Sequence, residues 1–71
     1  MSEKRSIIPK APCIRMLMLA GAKRVSAEAA DEMSAILTER ALHIAERAKD
    51  IAHHSKRRTI QDEDIKLAAR T

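Results

Sequence analysis

Residues 26–54 read SAEAADEMSAILTERALHIAERAKDIAHH, and neither glycine nor proline interrupts them. Ala30, Met33, Leu37, Ala41, Ile44, Ala48 and Ile51 recur at steps of three and four, an apolar stripe of helical period. Ile36, Leu42, Ala45 and Ala52 widen that stripe, and its alanines let a crossing helix approach closely. Ser26 suits the N-cap, with Glu28, Asp31 and Glu32 near the positive end of the helix. The pattern predicts one helix of about 27 residues, roughly 40 Å long. A compact chain of 71 residues has a radius of gyration of about 11 Å, hence a diameter of about 28 Å. The helix is longer than the globule its own chain would make. A second molecule has to cover part of it, most simply another copy.

Working outward, a shorter helix is expected on each side. Pro9 and Pro12 bracket a turn, and Pro12 suits the first helical position, where no N–H is required. Ile14, Leu17 and Met18 then follow helical spacing for about ten residues up to Gly21, the expected stop. Met16 and Leu19 lie off that stripe, so this helix is apolar nearly all round and expects burial on more than one side. Beyond the long helix, Thr59 is expected to cap a third one carrying Ile60, Ile65, Leu67, Ala68 and Ala69. Asp62, Glu63 and Asp64 occupy its first turn. The fold class is all-α, short–long–short. Residues 1–8 read as a flexible arm and residues 9–71 as one domain.

The net charge of +4 is unevenly placed: residues 1–25 carry +5, residues 26–55 carry −3 and residues 56–71 carry +2. The loops beside the long helix hold Lys23 and Arg24 on one side and Lys56, Arg57 and Arg58 on the other. A mildly acidic rod with basic ends is the electrostatic footprint of a polyanion binder. There is no Phe, Tyr or Trp. Tolerant binding of single strands relies on stacking bases on aromatic rings, so duplex backbone is the better target.

Other chemistries find little support. Cys13 is the sole cysteine, which excludes an internal disulfide, and it reads as a small buried residue. His43, His53 and His54 lack a third ligand at helical spacing, so no metal and no cofactor is expected. The Asp62–Asp64 run has an adequate explanation in the helix dipole. No nucleophile–base set and no phosphate-cradling glycine loop is present, which argues against an enzyme or a small-molecule substrate. No apolar run approaches a membrane span, and a lone thiol without an export signal fits the cytoplasm.

Ala20-Gly21-Ala22-Lys23-Arg24-Val25-Ser26, Arg57-Arg58-Thr59-Ile60 and Asp62-Glu63-Asp64-Ile65 flank the long helix, with Pro9-Lys10-Ala11-Pro12 and Arg15 upstream. In these stretches the chain resembles the archaeal-type histone family over about residues 8–70. The resemblance implies the histone fold as a handshake homodimer, in which long helices cross and loop 1 of one subunit lies beside loop 2 of the other. It implies an architectural protein that wraps double-stranded DNA on the chromosome (the nucleoid) without reading sequence, its dimers joining into tetramers or longer oligomers. Lys and Arg neutralise phosphates in such binding, and an arginine entering the minor groove adds contact without a base code.

Carried over residue by residue, the resemblance gives Arg15, Arg58 and Thr59 as phosphate contacts and Arg24 as the minor-groove arginine, with Lys23 and Lys56 as helpers. It pairs Arg57 with Asp64 as a buried loop clamp. It places Ile51, His54, Asp64 and Leu67 where dimers join, with a hydrogen bond between His54 and Asp64. The chain departs from the pattern at Met18 and Leu19, where relatives more often carry polar residues, and at Lys56, which replaces a frequent glycine. The competing readings are a heterodimerising histone-fold subunit of a larger complex, and a histone that bridges duplexes instead of wrapping them.

Overall fold

In the computed structural model, which describes residues 6–70, the helices are α1 (Lys10–Leu19), α2 (Ala27–His54) and α3 (Asp62–Ala69). No strand occurs among the described residues. The all-α, short–long–short reading is what the structure shows. The chain divides into two compact units, one up to Glu39 and one from Arg40 onward, and α2 contributes to both. Residues 1–5, most of the expected arm, lie outside the described residues.

In the first unit, α1 and the chain entering it are tied to the first half of α2 by two buried polar side chains. Ser34 and Thr38 sit one turn apart on α2 and are almost wholly buried. The Ser34 hydroxyl donates to the Ile8 carbonyl at 2.6 Å, and Thr38 Oγ1 accepts the N–H groups of Ile7 and Ile8 at 3.0 and 3.3 Å. Residues 7 and 8, assigned to the arm from sequence, therefore have main-chain groups hydrogen-bonded to side chains of α2. A buried hydroxyl without partners would be costly, and here each is satisfied. Cys13 is fully buried and its thiol donates to the Pro9 carbonyl at 3.5 Å. On the surface, Lys10 and Asp31 form an exposed ion pair at 2.6 Å, which raises the Lys10 pKa through that hydrogen bond.

The start of α1 differs from the sequence expectation. Pro9, in extended conformation, is the N-cap, and Pro12 falls in the third helical position instead of the first. The first four N–H groups of a helix have no internal partner, so a proline is accommodated at either place. At the other end the Gly21 N–H reaches the Met18 carbonyl and the Ala22 N–H reaches the Leu17 carbonyl, both at 3.0 Å. These two bonds make a Schellman closure, and Gly21 at φ +115° supplies the conformation it needs. A Cβ there would meet nothing within 4 Å, so backbone strain alone selects glycine. Ser26 then caps α2 as expected, its Oγ accepting the Ala29 N–H at 3.0 Å.

In the second unit, α2 closes in the same way with a different residue. The Lys56 N–H bonds to the His53 carbonyl at 2.9 Å and the Arg57 N–H to the Ala52 carbonyl at 3.0 Å. Lys56 takes the left-handed position at φ 59°. A side chain there costs about 1 kcal/mol. Lys56→Gly is expected to raise the melting temperature by about 4–8 °C for a chain of this size. The same change removes a loop charge, so duplex affinity should fall while stability rises. Calorimetry and a binding titration on one preparation check both signs.

The cap of α3 is a correction. Thr59 does not cap it; Gln61 is the N-cap, and its N–H donates to Asp64 Oδ2 at 2.9 Å. A carboxylate in the first turn is a stronger acceptor than a hydroxyl. The Arg57 guanidinium also bonds to the Thr59 carbonyl at 3.3 Å, holding residues 58–60 outside the helix. Ile60 accordingly lies before α3 and is exposed.

Among the described residues of the single chain, the buried apolar ones are all small: Cys13, Ala30, Ala35, Ala48, Ala52 and Ala68. Every described Ile, Leu, Met and Val keeps part of its surface exposed, and between residues 39 and 47 of α2 nothing is buried. Large aliphatic side chains normally supply most of a core's stabilisation. In one copy of this chain they stay half-buried or exposed.

Candidate nucleic-acid interface

The expected contact residues fall in two sets, one in each unit. In the first, Arg15 is exposed on α1, and Lys23 and Arg24 are exposed in the loop between the Gly21 closure and the Ser26 cap. Both ends of that loop are fixed by hydrogen bonds, and Val25, next to the cap, is half-buried. In the second, Lys56, Arg58 and Thr59 are exposed between the α2 closure and the Gln61 cap. Among the described residues, Lys10, Lys49 and Arg57 form ion pairs, whereas Arg15, Lys23, Arg24, Lys56 and Arg58 form none. The charge of these five is available to an external anion.

Arg57 behaves differently from its neighbours. Its two terminal nitrogens donate to Asp64, Nη1 to Oδ2 and Nη2 to Oδ1, each at 2.9 Å. The Asp64 side chain is 4% exposed and that of Arg57 is 32% exposed, so the carboxylate is buried and the guanidinium only partly so. This fork joins the end of α2 to the first turn of α3 and fixes the loop from which Lys56, Arg58 and Thr59 project. The Arg57 hydrogen bonds, aided by the Gln61 N–H and opposed by burial, lower the Asp64 pKa from 3.8 to about 2. The same hydrogen bonds raise the Arg57 pKa further.

A depressed carboxyl pKa stabilises the fold above the unfolded value and loses that contribution as pH falls through the folded one. Stability should therefore drop between about pH 4 and pH 2 through this group. Asp64→Asn should flatten the pH dependence in that window and lower the melting temperature at neutral pH. Thermal melts across the acid range measure both.

Of the residues expected where dimers join, His54 is exposed, Leu67 is 49% exposed and Ile51 is half-buried. Asp64 is already committed within its own chain: Oδ2 accepts from Arg57 and Gln61, and Oδ1 from Arg57. A shallow concavity brings His54, Lys56, Arg57 and Arg58 together with His53, which the sequence reading weighed only as a metal ligand and set aside. Ser34 and Thr38 were missed by sequence reasoning. Their signal is two small hydroxyl residues four apart beside the apolar stripe.

No group of three or more His, Cys, Asp or Glu side chains converges among the described residues. Nor is any helix among them long and apolar enough to cross a membrane. Three helices in short–long–short order, with basic, hydrogen-bond-closed loops at both ends of the middle one, define the histone-fold class. Residues 7–69 match the family of histone-like transcription factors (CBF/NF-Y) and archaeal histones, and the chain belongs to that family. It is 48% identical over 63 residues to probable archaeal histone 3 of Methanocaldococcus jannaschii, covering 89% of this chain and 94% of that one. It is 38% identical, over the same shares, to one of the subunits of the archaeal histone HAN1 from Thermococcus zilligii. The family is one of structural DNA-binding proteins of chromatin, not of enzymes.

Proposed function

We propose that the chain is an architectural chromatin protein that binds double-stranded DNA as a homodimer and wraps it without sequence specificity. The observation that carries this reading is the pair of closed loops presenting unpaired Lys23, Arg24, Lys56 and Arg58. Arg15, Arg58 and Thr59 meet phosphates, Arg24 enters the minor groove, and Lys23 and Lys56 add charge. The uncovered middle of α2 and the part-exposed aliphatic residues support the dimer, in which a second α2 crosses at Ala41 and Ala45. Its place is on the chromosome.

Dimers join end to end through Ile51, His54 and Leu67. Asp64 keeps one Oδ1 lone pair for a partner's His54, since Arg57 and Gln61 use the others. Nuclease digestion of complexes on long duplex tests wrapping. A regular ladder of protected lengths is expected, and irregular fragments would favour bridging. Light scattering of the chain alone separates a homodimer from a subunit that stays unfolded until another partner arrives.

A further inference from the structure

The outer face of α1 combines one cation with uncovered apolar surface. Arg15, Met18 and Leu19 stand at i, i+3 and i+4, so both apolar side chains lie within about 60° of Arg15 around the helix. Cys13, fully buried, is about 160° from Arg15 and marks the inward side. Leu19 is 83% exposed, the most of any large apolar side chain among the described residues. Residues 11–27 hold Arg15, Lys23 and Arg24 and no acid. Lys10, at the far end of the helix, is paired with Asp31. A second copy seated face to face on this patch would set Arg15 against Arg15, and like charges repel. The surface fits an occupant that is anionic and offers carbon between its charges. A DNA duplex has that make-up, with phosphates alternating with deoxyribose.

We infer that Met18 and Leu19 pack against the deoxyribose carbons beside the phosphate held by Arg15, so that α1 gives the duplex an apolar contact insensitive to salt. The inference rests on the duplex-binding reading above and adds to it a contact of different chemistry. Phosphate neutralisation sets how steeply affinity falls with salt. Apolar burial contributes about equally at every salt concentration, and its mark is a negative heat-capacity change on binding. Every nucleotide presents the same sugar, so this contact carries no base preference.

The test is a salt series of duplex binding by the full chain and by Leu19→Gln, Met18→Gln and Arg15→Ala, with calorimetric titration at several temperatures. Leu19→Gln should weaken binding roughly tenfold at every salt concentration, leave the slope of log affinity against log salt unchanged, and make the heat-capacity change less negative. Met18→Gln should act in the same direction. Arg15→Ala should instead flatten the slope, by about 1.8 in a homodimer. Helical content and melting temperature should hold in Leu19→Gln, because that side chain buries little within its own chain. Duplex affinity and heat-capacity change that are the same in both glutamine variants as in the unaltered protein overturn this inference alone. So does a change in sedimentation of the free protein, or loss of binding to anionic vesicles, with duplex affinity unchanged, because the patch then serves a second copy or a lipid surface. Absence of duplex binding by the unaltered protein at low salt overturns the functional reading as well.

Discussion

Ala41→Glu in the middle of α2 is expected to abolish the folded protein at micromolar concentration. In the isolated chain Ala41 is exposed, and an exposed helix position tolerates glutamate, a good helix former. By that account the substitution changes stability by no more than about 0.5 kcal/mol. If a second α2 crosses here, the carboxylate is buried without a partner, at a cost of several kcal/mol in each protomer. A domain of this size has only about 5–15 kcal/mol in total. Far-ultraviolet circular dichroism and sedimentation distinguish the outcomes: loss of helix and of dimer in one case, no change in the other. Ala45→Glu, one turn on, should act alike.

The second large effect concerns the loops. Arg24→Ala and Arg58→Ala are each expected to lower duplex affinity roughly tenfold or more at moderate salt. The loss should be about equal on unrelated sequences, because backbone and groove-shape contacts position a protein without specifying bases. Arg58→Ala should also reduce the salt slope by about 1.8 in a homodimer, one phosphate per chain. Neither change should lower the melting temperature much, since neither side chain has an ion-pair partner among the described residues. Arg57→Ala should do the reverse, destabilising the fold by stranding the buried Asp64 carboxylate.

The reach of the sequence differed between elements for physical reasons. α2 was legible end to end because periodicity, a serine cap and the absence of breakers agree over 28 residues. Gly21 was legible because few residues accept its backbone. The start of α3 was not. Thr59 has the better capping propensity in isolation, but the Arg57–Asp64 fork acts over seven residues and moves the cap to Gln61. Ser34 and Thr38 were silent because their acceptor and donors come from residues 7 and 8, some thirty positions away. The resemblance sets a glycine where Lys56 stands, yet the closure forms in the same pattern with a lysine in the left-handed position. Met18 and Leu19, 52% and 83% exposed, keep the apolar surface expected of them, and nothing in the structure covers them.

We propose that this histone-fold chain grips duplex DNA through basic loops without reading it. The most direct measurement is equilibrium binding to two unrelated duplexes of equal length across a salt series. Equal affinities are predicted, with equal, steep slopes of log affinity against log salt. A strong preference for one sequence, or no binding at low salt, would contradict it.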